Sequence, residues 1–131
     1  MDDAMSVLEN AWSEREGPAV LTTVDGAGCP NSIYVGEIRY EPELGFVVAD
    51  NFFHKTRANI KNNSHGAILF ITGDGKAYQA KGPLSYHTDG PVYERMQQWH
   101  NKDLPGVAAT VLKVTELYRG SEELITKEPR E

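Results

Sequence analysis

The chain has 131 residues, with 13 lysines and arginines against 19 aspartates and glutamates and a formal charge of −6. That length holds one domain with a single substantial core, and the acidic balance argues against general adhesion to nucleic acid or to an anionic membrane. The lone cysteine, Cys29, excludes an intrachain disulfide; with an acidic, polar-interrupted start and no apolar run of membrane-spanning length, the expected location is cytoplasmic.

Asp2 or Asp3 is positioned to cap a first helix whose apolar stripe is Met5, Leu8, Ala11 and Trp12. Gly17-Pro18 is expected to stop it, making 1–17 an N-terminal helical segment. Ala19 to Val24 reads as a strand, Asp25-Gly26-Ala27-Gly28 supplies turn chemistry, and a second strand is expected over roughly Asn31 to Tyr40. Gly36 marks either a bulge or a close approach of backbone to a ligand. After the turn at Glu41 to Gly45, Phe46 to Ala49 forms a third strand, and His54-Lys55-Thr56-Arg57 opens a helix running through Ala58, Ile60 and Lys61.

Ala67 to Thr72 and Lys76 to Lys81 make a second hairpin around Gly73-Asp74-Gly75. Gly82-Pro83 interrupts that strand, and Leu84 to His87 resumes it. Thr88-Asp89-Gly90-Pro91 is a helix start, with Val92, Met96 and Trp99 along one face. A loop over Asn101 to Gly106 precedes a long strand from Ala108 to Tyr118, and 122–131 is a polar tail expected to fray. Hairpins broken by two or three short helices indicate a single α+β domain, mainly β, built as an antiparallel barrel rather than as alternating β-α units.

Several catalytic motifs are missing: there is no GxxxxGK, GxGxxG, GxSxG or HExxH. His54, His65, His87 and His100 are scattered and read as surface or hydrogen-bonding residues, and neither they nor Cys29 form a metal set. The segment VVADNFFHKTRANIKNN stands out instead. Its cations gather at a helix N-terminus, which already carries partial positive charge, and no acidic residue lies between Asn51 and Gly73. Two readings follow: a phosphate cradle made by helix N–H groups, the Thr56 hydroxyl, the Lys55 ammonium and the Arg57 fork, or a solvated basic helix that packs Ala58 and Ile60 on the core. Phe52 and Phe53 just upstream could receive a flat ring attached to such a phosphate.

The order of these features resembles the FMN-binding split-barrel family, which includes pyridoxamine 5′-phosphate oxidase and small bacterial FMN-binding proteins. The resemblance runs from about Pro18 to Gly120 and is carried by AVLTTVDGAGCPNSIYV, GFVVADNFFHKTRANIKNN, TDGPVYERM and AATVLKVTELYRG. It implies a split β-barrel of about six antiparallel strands, FMN as cofactor, and a homodimer with flavin at the subunit interface. Carried over by position, Lys55 and Thr56 would hold the phosphate, while His54, Phe53, Asn51 and Asp50 would line the approach. Ile33, Tyr34 and Val35 would meet the isoalloxazine ring, with ordinary strand packing an equal reading for Ile33 and Val35. Trp99 would pack on the flavin from the partner subunit, and Arg57 is left as a surface residue.

The implied function is an FMN-dependent oxidoreductase or electron-transfer protein with an unidentified donor and acceptor; no residue stands out as a catalytic acid or base. The alternatives are a non-catalytic module that stores or senses flavin, or a split barrel that takes haem or deazaflavin. The chain lacks the arginine- and histidine-bearing C-terminal segment with which the oxidases bind pyridoxamine phosphate, so vitamin B6 oxidation is not expected.

Overall fold

A computed structural model describes residues 2–126, with side chains from residue 4 onward. Helix α1 covers Asp2–Ser13, and the proposed caps, Asp2 and Asp3, have side chains outside the described set. Strand β1, Arg15–Val24, begins before Gly17-Pro18. These two residues therefore sit inside a strand, at the register shift between Glu16 and Val20, instead of terminating the helix. Among the described residues nine strands follow one antiparallel plan: β2 (Pro30–Val35), β3 (Ile38–Glu41), β4 (Gly45–Asp50), β5 (His65–Thr72), β6 (Ala77–His87), β7 (Ala108–Leu112), β8 (Glu116–Arg119) and β9 (Glu122–Ile125) join β1 in a single sheet. Helix α2 spans Lys55–Lys61 and α3 spans Gly90–Trp99.

The main path of the sheet runs β2-β1-β5-β6-β7-β4-β3. Its two ends, β2 and β3, are separated in sequence only by Gly36 and Glu37. The three Cα–Cα steps from Val35 to Ile38 span no more than about 11 Å, so the sheet has to curl until its edges meet, and the result is a split barrel. The run expected as one strand from Asn31 to Tyr40 is thus two strands: Val35 pairs with Ala19 at one edge, and Ile38 pairs with Val48 at the other.

The expected strand from Ala108 to Tyr118 also divides. Both pieces lie along β6, with β8 beside Tyr78 to Lys81 and β7 beside Leu84 to His87. Between them the backbone steps outward, with the Lys113 N–H bonding the Pro83 carbonyl and the Thr115 N–H bonding that of Lys81. The step presses on Gly82, where a β-carbon would collide with the Lys113 carbonyl. Glycine there is a requirement of close approach. These two divisions, together with β9 where a fraying tail was expected, turn six strands into nine; residues 127–131 of that tail lie outside the described residues.

Phe46, Val48, Leu21, Ile68, Phe70, Ala80, Leu112 and Leu117 fill the main core. Helix α1 adds Leu8, Ala11 and Trp12 to it, with the Trp12 ring 4.9 Å from both Phe46 and Phe70 and nearly perpendicular to them. Val47, Ala49, Ala109 and Val111 form a second cluster, which α3 covers with Met96, Val92, Tyr93 and Trp99. Burial on both faces explains why β4 and β7 are continuous apolar runs without alternation.

Candidate functional site at the barrel seam

Strand β4 ends at Asp50, whose side chain is fully buried. A buried carboxylate has to be paired and hydrogen-bonded, and four donors meet it. Arg57 grips both oxygens, Nε to Oδ2 at 2.8 Å and Nη2 to Oδ1 at 3.0 Å. The Tyr86 hydroxyl donates to Oδ2 at 2.5 Å, and the Phe53 N–H to Oδ1 at 3.0 Å. Arg57, expected either as a fork in the phosphate cradle or on the surface, is therefore the counter-ion of Asp50, and its hydrogen bond to that carboxylate holds the guanidinium above its usual range. Burial, reinforced by the Asp50 carboxylate, pushes the Tyr86 phenol up to about 12. The cluster binds strand β4, strand β6, the loop at Asn51 to His54 and helix α2 into one unit.

That unit presents the first turn of α2 outward. His54 is the N-cap residue and makes no side-chain cap bond, and the turn contains no acidic residue, so among the described residues no side chain caps its leading N–H groups. His54 and Lys55 are exposed, whereas Thr56 is buried and its hydroxyl accepts from Asn31 Nδ2 at 3.1 Å. Ala58 points to solvent and Ile60 to the core. Asn31 begins β2, and on a strand Asn31, Ile33 and Val35 share one face.

Farther along β2, where the barrel edges meet, lies a groove of about 330 Å³. Five of the residues expected to contact cofactor line it, namely Ile33, Tyr34, Val35, Asn51 and Phe53, together with Gly36, Glu37, Ala49 and Phe52. Tyr34 and Phe52 are strongly exposed, at 77% and 76%. Of the other expected residues, His54, Lys55 and Thr56 form the turn just described, and Asp50 stands behind the wall with its oxygens already engaged. Trp99 lies apart from the groove on α3, with Arg39 over its ring at 5.1 Å and its indole N–H buried without a partner. A larger hollow of about 410 Å³ lies beside the turn at Pro42 to Gly45 and includes none of these residues.

Glu37 occupies the seam. Burial alone would raise its carboxyl; hydrogen bonds from the Asn51 side chain, the Asn101 N–H and His100 outweigh this and hold it below the usual range. Its contribution to stability is therefore present above the ordinary carboxylate range and lost as the pH falls through the lowered value. Among the described residues no group of three or more His, Cys, Asp or Glu side chains could hold a metal ion, and no helix is long and apolar enough to cross a membrane.

Asn31, Glu37, Arg57, Tyr86 and His100 escaped sequence reasoning as site-building residues. Asn31 was accessible through the period of β2, which places it on the face of Ile33 and Val35. The pairing of Glu37 with His100 bridges 63 positions, and that of Tyr86 with Asp50 bridges 36; neither leaves a local pattern.

Comparison with known proteins agrees with this fold. An uncharacterized protein of Methanocaldococcus jannaschii is 30% identical over 123 residues, which cover 89% of this chain and 83% of that protein. The structure of HupZ from Group A Streptococcus is similar with a TM-score of 0.74 at 21% identity, over 98% of each chain. An FMN-binding protein from Syntrophomonas wolfei subsp. wolfei is similar with a TM-score of 0.73 at 20% identity, over 91% of this chain and 89% of that one. At such identities the two structures speak for the fold alone. The pyridoxamine 5′-phosphate oxidase family, however, matches residues 9–120, a span that includes both β2 and α2. The split barrel, its seam and the basic turn are thus those of a chain that belongs to the pyridoxamine 5′-phosphate oxidase family.

Proposed function

We propose that the protein is an FMN-binding flavoprotein that exchanges electrons or hydride with an as yet unnamed partner. The observation that carries this reading is the layout of β2. Its first residues meet the cationic turn through the Asn31 to Thr56 bond, and its last residues wall the groove. Four residue steps along the strand take Asn31 to Val35, or about 13 Å, which suits a ligand with phosphate at one end and a flat ring at the other. Lys55 supplies charge to the phosphate and the α2 turn supplies N–H donors. Phe53 and His54 flank the approach, and Ile33, Tyr34 and Val35 present backbone to the ring edge. When bound, FMN supplies the redox chemistry, and the chain holds and orients it.

Two large aromatic side chains exposed at one rim favour a second subunit over open water. In this reading the flavin lies at the interface of a homodimer, which completes a groove too shallow to enclose it. Sedimentation of the flavin-loaded protein in dilute solution should report twice the chain mass. A monomer that retains FMN tightly would remove the shared site.

Turnover is tested by mixing the loaded protein with NADH, NADPH or dithionite and following flavin absorbance on reduction and reoxidation. Reduction by a nicotinamide followed by reoxidation in air is the expected result. A flavin reducible by dithionite alone would make the protein a carrier or sensor.

A further inference from the structure

Beside the groove, one hydrogen-bonded cluster fastens the segment after α3 to the barrel seam. His100 is buried, with its side chain 2% exposed. Its Nδ1 lies 2.8 Å from Glu37 Oε1 and its Nε2 lies 2.8 Å from the Leu104 carbonyl oxygen. A carbonyl can only accept, and so can an ionised carboxylate. A ring with a single proton satisfies one of these partners and turns a lone pair toward the other, a costly arrangement in a buried place. A ring protonated on both nitrogens satisfies both, and its charge is matched by Glu37.

The same carboxylate reaches both ends of the segment. Glu37 Oε2 accepts from the Asn101 N–H at 2.6 Å, and Oε1 also accepts from Asn51 Nδ2 at 2.9 Å. Asn51 Oδ1 in turn accepts from the Gly106 N–H at 2.8 Å. Gly106 lies against the imidazole so closely that a β-carbon would overlap the ring. Lys102 and Asp103, the other charged residues of the segment, are exposed, with the Lys102 ammonium on the Gln97 carbonyl and the Asp103 N–H on Asn101 Oδ1. Among the described residues, Glu37 is the charged group bonded to the ring. Glu37 and Asn51 both line the groove, so the latch and the groove share two side chains.

We infer that His100, protonated on both ring nitrogens, is a positioning residue: by latching the 101–106 segment onto Glu37 it fixes Glu37 and Asn51 at the rim of the groove. The use made of that rim rests on the cofactor reading, but the latch does not. Nitrogen-15 spectra of the imidazole in the intact protein at neutral pH should show two protonated ring nitrogens. Glu37→Gln keeps the shape and removes the charge, so the ring should return to a single proton. Amide exchange at Asn101 and Gly106 should then quicken by about tenfold or more, as expected for loss of a charge-assisted bond. The Asn51 side-chain amide signals should shift, and FMN should dissociate faster.

A singly protonated ring in the wild type, or unchanged exchange at Asn101 and Gly106 in Glu37→Gln, would overturn the latch. Faster exchange with unaltered FMN dissociation would overturn the positioning role and leave the cofactor reading standing. If the wild type takes up no flavin, the cofactor reading fails; the latch is then judged on the imidazole and Asn51 signals, which must change in Glu37→Gln for it to stand.

Discussion

Replacing Lys55 with alanine should weaken FMN binding about ten- to a hundredfold, the equivalent of one charge-assisted hydrogen bond of roughly 1.5–3 kcal/mol. Riboflavin has the same ring without the phosphate, and its affinity should barely change. Lys55 is exposed and forms no hydrogen bond or ion pair within the described residues, so its loss should leave the fold intact. Thr56→Ala should cost less FMN affinity, because the hydroxyl is buried and already accepts from Asn31; some of that loss should appear as lower stability. Equal losses for both ligands in Lys55→Ala would mean that Lys55 serves the ring or the structure. No loss for either would return the segment to a solvated basic helix.

Arg57→Met should destabilise the protein by about 3 kcal/mol, near the low end for breaking a buried pair because the Arg57 side chain is itself a third exposed. For a chain of this size that is a drop in melting temperature of the order of 10 °C. Asp50→Asn should cost less. The reason is an asymmetry of burial: Arg57→Met leaves the wholly buried Asp50 carboxylate with two donors and no counter-ion, whereas Asp50→Asn leaves a guanidinium that can reach water. Thermal melts of the two variants side by side measure the difference. A greater loss for Asp50→Asn would contradict the account of Asp50 as a paired, buried anion. FMN affinity should fall with Arg57→Met as well, since this pair orients the first turn of α2 from within.

The parts of the fold legible in the sequence were those with local causes. The β1-β2 hairpin is turned by Asp25, whose Oδ1 accepts the N–H groups of Ala27 and Cys29, and the Leu8, Ala11 and Trp12 stripe packs as its spacing requires. Strand limits were misread where the cause is distant. Gly36 was read as a bulge or a close approach to a ligand, and nothing else between Ile33 and Tyr40 signals that the chain leaves one edge of the sheet for the other at Gly36 and Glu37. Likewise, the need for Gly82 becomes visible only when Lys113 lies against it.

The site divides in the same way. The basic turn and the groove-facing residues of β2 were readable from charge, spacing and family pattern. What holds them in place was not, because Asp50, Arg57 and Tyr86 come from three elements and Glu37, Asn51 and His100 from three more segments. Asp50 was read as lining an approach because its position next to Asn51 says nothing about which way a carboxylate turns; its oxygens face inward to Arg57, Tyr86 and the Phe53 N–H.

The identity of the cofactor is the claim on which the function depends, and the absorbance spectrum of the purified protein, followed by the mass of the ligand released on heating, tests it most directly. The account predicts a yellow protein with flavin bands and a released ligand with the mass of FMN. A Soret band, or a released ligand with the mass of a deazaflavin or of riboflavin without phosphate, would contradict it.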